Sequence, residues 1–324
     1  MRAAVRLAMT VTVTVGAAVV IGAAGPALAS DDGPPLSVPA AALDAALECT
    51  DGGAELDPVL LIPGTGLTPG PNFDWNYEPL FLAQDRAYCT VELPFAATGD
   101  IQVAAEYVVH ALRAMGPGTD VVGYSQGGMI GRWALKYWPD TRDLVDDLVG
   151  LAPSNHGTLD ADVLCAGGPC APAIHQQALT AEFIDTLNTG PETVAGVDYT
   201  VAYTLFDEVV VPNAVPPASS PLRGGEGEIA NIAVQQVCPG HVAEHLTLGT
   251  FDPVAAAIAL DALDTDGPAD RTRIDPAVCR VPFMPGVDPL TFPTDLARFG
   301  AAVGTGIATA PLVPAEPPLA AYAR

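Results

Sequence analysis

The sequence predicts an α/β protein: a mainly parallel sheet flanked by helices, in a single domain. Three observations predict it. Short apolar runs of β type alternate with stretches whose apolar residues recur at helical spacing, the pattern of βαβ units. The 324 residues are 49% hydrophobic and 16% charged, enough to bury a sizeable core. One strand-to-helix junction, Gly123 to Gly127, sets a serine between glycines, a turn with a chemical use. Length alone would suit one large domain or two small ones.

The first residues stand apart from the fold. Arg2 and Arg6 precede a long apolar run to Ala24, and Ala27-Leu28-Ala29 is a small-x-small cleavage sequence before Ser30. Residues 1–29 are therefore expected to be a secretory signal peptide, cleaved after Ala29, and the protein to be secreted. The run approaches the length of a membrane span, but the break at Pro26 and the cleavage sequence favour export over an anchor. Residues 30–41, rich in Asp, Pro and Ser, are expected to be a flexible mature N-terminus, with the folded domain over 42–324. Against 13 basic residues stand 38 acidic ones, a formal charge of −25; losing the two leader arginines makes it −27. Such a surface repels phosphate backbones, so no nucleic-acid partner is expected, and uncharged or cationic substrates suit it.

The elements follow in order. Val59 to Ile62 and Tyr88 to Leu93 are β runs. Asp100 to Met115 has apolar residues at helical spacing, with Gln102, Glu106, His110 and Arg113 on the opposite face, which places His110 at the surface. Asp120 to Tyr124 is a strand and Gln126 to Trp138 a helix that Pro139 stops. Leu148 to Leu151, Tyr199 to Phe206 and Glu228 to Val234 read as further strands, and Phe251 to Leu263 as an Ala-rich helix. From about residue 281 the chain is rich in Pro, Gly and Ala and reads as loops with a helix or two wrapped on the domain.

Six cysteines in an exported chain suggest three disulfides. Fifteen pairings are open to six cysteines. Nearest-neighbour pairing, Cys49–Cys89, Cys165–Cys170 and Cys238–Cys279, is the expectation. No CxxC pair marks a zinc site, so neither a metal nor a cofactor is expected there.

Gly123-Tyr124-Ser125-Gln126-Gly127, between a buried strand and a helix, has the form of a nucleophile elbow. The glycines two residues before and after Ser125 remove side chains that would collide across the turn. The helix N-terminus beneath the hydroxyl favours developing negative charge. The plain alternative is a Gly-rich turn with a serine cap. A serine nucleophile needs a base and the base an orienting carboxylate, in the chain order Ser, acid, His. Asp207 follows the Tyr199–Phe206 run and is the candidate acid; a strand-end turn is its ordinary role otherwise. Glu208 beside it is solvated or supports the site. His245 is the candidate base, with His241 four residues earlier. His156 follows too early in the chain and suits a structural or pocket-lining role; His175 opens a helical stretch and should be exposed.

His241 to His245 also spells H-x-x-E-H, an inverted zinc-protease motif, which needs both imidazoles on one helix face. Pro239-Gly240 upstream reads instead as loop. An oxyanion hole would take the backbone N–H of Gln126 and, from the sharp turn after Ile62, the N–H and hydroxyl of Thr65.

"LLIPGTG", "YSQGG", "TLFDEVVVP" and "VCPGHVAEH" occur in this order and at these separations in the Candida antarctica lipase B-like family of α/β-hydrolases, which the chain resembles from about Cys49 to Cys279. The resemblance implies the α/β-hydrolase fold and secreted ester hydrolysis without a metal or cofactor. It implies Ser125, Asp207 and His245 as the catalytic residues, Thr65 and Gln126 as the oxyanion hole, and two of the three pairings, Cys49–Cys89 and Cys238–Cys279. Four features depart from the family, among them His156 in "APSNHGT", where the family has no histidine, and the absence of the family's C-terminal disulfide. Gly123-Tyr124 stands where its best-known member has Thr-Trp, on the alcohol side of the pocket. Cys165 to Cys170 is extra, a small loop that would stiffen the pocket rim or a lid. The expectation is a monomeric serine lipase or carboxylesterase acting on acylglycerols or similar apolar esters, with transient lipid-interface contact. An acyltransferase or polyesterase with the same triad, or a catalytically silent binding domain, are the alternatives.

Overall fold

The computed structural model describes residues 32–53 and 55–324; the expected signal peptide lies outside the described residues. Among the described residues seven strands form one sheet: β1 (Leu47–Cys49), β2 (Val59–Ile62), β3 (Tyr88–Val91), β4 (Thr119–Tyr124), β5 (Val145–Leu151), β6 (Asp198–Tyr203) and β7 (Ile229–Ala233). Their order is β1-β3-β2-β4-β5-β6-β7. Only β1, at the edge, is antiparallel to its neighbour. Every other pair is parallel.

Parallel strands need crossovers, which put helices on both faces. That is why β2, β3 and β4 are buried throughout, and why β2 reads as an unbroken apolar run. On one face lie α1 (Ile101–Met115) and α2 (Gln126–Tyr137), packed around Trp133 and Trp138. Smaller helices α3 (Leu159–Cys165) and α4 (Pro172–Gln176) follow β5, and the one-turn α5 (His245–Leu248) follows β7. On the other face lies α6 (Pro253–Leu263), with Phe73, Phe81 and Phe299 in the same core. The Pro- and Ala-rich tail contains a long helix, α7 (Phe292–Ala308), and a last turn at Ala321–Ala323.

Three local outcomes differ from the sequence reading. β6 stops at Tyr203 rather than Phe206, because the Thr204 hydroxyl donates to Ala243 O and accepts the Phe206 N–H, closing a turn. Part of the polar face of α1 is covered rather than open. Glu106 accepts hydrogen bonds from the Ser37 and Val38 N–H groups, and Gln102 exchanges bonds with Pro318 O and the Ala320 N–H. Residues 32–41, expected as a flexible N-terminus, thus lie along α1, with Trp138 Nε1 donating to Pro34 O at 2.8 Å. His110 is half-buried and faces Asp44 at 2.8 Å.

The six cysteines pair with their nearest neighbours: Cys49–Cys89, Cys165–Cys170 and Cys238–Cys279. Cys170 also exchanges two backbone hydrogen bonds with Val313, in the tail beyond α7, at 3.0 and 2.9 Å.

Candidate active site

The junction of β4 and α2 forms a tight elbow. Ser125 sits at φ 54°, ψ −121°, a backbone region that L residues rarely adopt and that the surrounding packing must hold. A Cβ on Gly123 would lie 2.3 Å from the Gly127 carbonyl carbon, and one on Gly127 would lie 2.2 Å from Ile62 O. Both glycines are therefore steric necessities of the turn. The Ser125 N–H donates to Leu151 O at 2.8 Å, tying the elbow to β5. Gln126 is the first residue of α2, so its N–H has no partner within the helix.

The late elements bring a histidine and a carboxylate to this serine. His245 Nε2 is 3.1 Å from Ser125 Oγ, and its Nδ1 is 3.0 Å from Asp207 Oδ2. All three side chains are buried. Asp207 is held by backbone: its Oδ1 accepts the N–H groups of Val209 and Val210 at 3.0 and 2.7 Å. A carboxylate accepting those bonds also takes the Nδ1 proton, which leaves Nε2 as the free acceptor facing the serine hydroxyl. Glu208 supports the loop, accepting the His245 N–H at 3.0 Å, and Glu244 caps α5 through the Leu246 and Thr247 N–H groups.

Tyr124, just before the serine, lies under the histidine. Its ring centroid is 5.2 Å from that of His245, and its hydroxyl is 3.3 Å from His245 O. Burial, with the charges of Asp207, Glu244 and Glu208 nearby, pushes this phenol far above its ordinary range, so it remains a neutral donor.

The turn after β2 completes the floor. A Cβ on Gly64 would come within 3.3 Å of Ser125 Cβ, so Thr65 stands beside the serine. Thr65 Oγ1 accepts from the side-chain amides of both Gln126 and Gln177, each at 3.0 Å. Thr65, Ser125 and His245 open into a pocket of about 370 Å³. Leu164, Ile174, Val209, Leu246, Val303 and Ile307 supply the apolar part of its lining. On α3, which contributes Leu164 to the lining, Leu159, Val163 and Leu164 stand half or more exposed.

The remaining histidines serve elsewhere. His241 lies in the loop before α5, paired with Asp252, so it and His245 do not share a helix face as the zinc-protease motif requires. His156 is buried between Ser219 O and Glu192, at 2.9 and 3.0 Å, and stays outside the pocket lining. His175, expected exposed, is half-buried in α4 with Nε2 3.2 Å from Val313 O, because the tail folds back over it. Gln177 is the site residue the sequence reading missed. It lies 52 positions after Ser125, at the end of a short helix, with no motif around it.

No family model matches the chain. Over 228 residues, 67% of this chain, it is 34% identical to lipase B of Pseudozyma antarctica; the match spans 66% of that protein, just under two thirds of its length. The solved structure of Aspergillus fumigatus lipase B superposes with a TM-score of 0.80 at 32% identity, covering 94% of this chain and 76% of that one.

Proposed function

The chain belongs to the Candida antarctica lipase B-like family of α/β-hydrolases, and from that premise we propose that it is a secreted serine carboxylesterase of the lipase type. The observation that carries the reading is the hydrogen-bonded line Ser125 Oγ, His245 Nε2/Nδ1, Asp207 Oδ2 at the base of an apolar pocket. Ser125 Oγ attacks the ester carbonyl carbon while His245 Nε2 takes its proton. The negative oxygen that develops is met by the Gln126 and Thr65 N–H groups and the Thr65 hydroxyl. Collapse breaks the ester C–O bond, and His245 returns the proton to the departing alcohol. Water, deprotonated by His245, then attacks the acyl-serine, releasing the carboxylic acid and restoring the hydroxyl. Asp207 fixes the imidazole tautomer and stabilises its charged form throughout.

An uncharged, apolar acyl ester is the substrate class, since the pocket walls named above are aliphatic and the chain's charge is strongly negative. The exposed leucines and valine on α3 suit transient contact with a lipid surface. Export is supported by the leader-like first 29 residues and by three disulfides. The test is hydrolysis of p-nitrophenyl esters of graded chain length. Ser125→Ala should lower kcat by about 10⁴-fold or more; equal rates from the two proteins would overturn the assignment. N-terminal sequencing of the exported protein should begin at Ser30.

A further inference from the structure

Thr65 needs more than proximity to serve an oxyanion. A threonine hydroxyl carries one proton and two lone pairs, and the proton rotates to whatever acceptor is available. Here both lone pairs are taken. The Gln126 amide donates one N–H to Thr65 Oγ1 and the other to Ala97 O at 2.9 Å. The Gln177 amide donates one N–H to Thr65 Oγ1 and the other to Ala173 O at 3.0 Å. Two backbone carbonyls, which can only accept, fix which end of each amide is nitrogen. On its far side Gln177 Oε1 accepts the Ser154 hydroxyl at 2.9 Å, locking the side chain in a buried slot. With its acceptor side occupied twice, the Thr65 hydroxyl has its proton left over. The direction open to it is the pocket, where Ser125 stands.

We propose that Gln177 is a positioning residue: together with Gln126 it saturates the Thr65 oxygen and so aims the Thr65 O–H at the place where the oxyanion forms. It touches no reacting atom. The inference rests on the reading of Thr65 and Gln126 as the oxyanion hole of a Ser125 esterase. Its chemical content is preorganisation. Without Gln177, the hydroxyl regains a choice of rotamers and must reorient as charge develops, a cost that falls on the transition state and not on the bound ester.

The experiment is a double-mutant cycle on a p-nitrophenyl ester, with Ser125→Ala in the same series. Gln177→Met, which fills the slot but donates nothing, should lower kcat about tenfold with KM within twofold, a fraction of the 10²–10³ lost with an oxyanion donor. Gln177→Glu should be worse than Gln177→Met, because a carboxylate would draw the Thr65 proton away from the pocket. In a Thr65→Val background, Gln177→Met should change kcat by less than twofold, since no hydroxyl remains to aim. Thermal unfolding of each variant identifies any that are misfolded, and the Met variant carries the test if the Glu variant does not fold. Unchanged kcat for a folded Gln177→Met, or a full tenfold loss persisting in the Thr65→Val background, overturns the proposal. A Ser125→Ala protein as fast as wild type would instead overturn the esterase reading beneath it.

Discussion

At the scale of single residues, the site depends on backbone that approaches too closely for side chains. Gly249, at the end of α5, shows this as clearly as the elbow does. A Cβ there would lie 2.0 Å from Cε2 of Tyr124, the ring that packs against His245. Gly249→Ala must therefore displace the tyrosine, the short helix carrying the histidine, or both. Overpacking of this kind costs about 1–3 kcal/mol. We expect a lower melting temperature and, because the ring supports His245, a larger loss in ester hydrolysis than in stability; unchanged activity would show that the ring does not position the imidazole. The sequence made Ser125, Asp207 and His245 legible because each sits in a motif or at a strand end with a mechanical reason. Gly249 and Gln177 were not legible. Their roles depend on which distant side chain folds against them, and no spacing encodes that.

At the scale of elements, buried strands and the amphipathic α1 were readable from period and composition, while α7 lay in a tail that read only as loops with a helix or two. Its Gly- and Ala-rich face loses contrast because it packs by close backbone approach: a Cβ on Gly306 would meet Gly66 O at 2.2 Å. The face of α1 misled for a related reason. Its polar residues are partners for chain termini, whose path no helical period records. Disulfides belong to this scale too. Cys165 and Cys170 are 5 positions apart, Cys238 and Cys279 are 41. Loop closure predicts about 2 kcal/mol from the short link and about 4 kcal/mol from the long one. Cys165→Ser/Cys170→Ser should thus lower the melting temperature less than Cys238→Ser/Cys279→Ser, measured side by side in oxidising buffer. The reverse order would mean that the short link restrains more than its own loop.

At the scale of the whole molecule, the net charge was legible but its burial was not. Under the sheet, away from the pocket, Asp120 and Asp147 are buried near Asp57, Asp146 and Asp198. Burial pushes Asp120 up to about 7, with Arg86 opposing and Asp57 and Asp146 assisting. It pushes Asp147 up to about 8, with Asp120 and Asp198 assisting. An unfolded aspartate titrates at about 4. The folded state therefore holds these protons more tightly than the unfolded chain, and stability from this pair falls as pH rises from about 4 to about 8. We expect a higher melting temperature at pH 5 than at pH 8.5, and Asp147→Asn to flatten that slope; a slope untouched by the substitution would assign it to other groups. The pairing of Cys170 with Val313 works over a comparable span. It fastens the segment that follows α3 to the chain leaving α7, two helices that both line the pocket, so a hoop of chain is held by one covalent and one hydrogen-bonded clasp. Grafting a new rim from a relative would leave that hoop unfastened unless the graft brought its own tail, so the two segments form one exchangeable part.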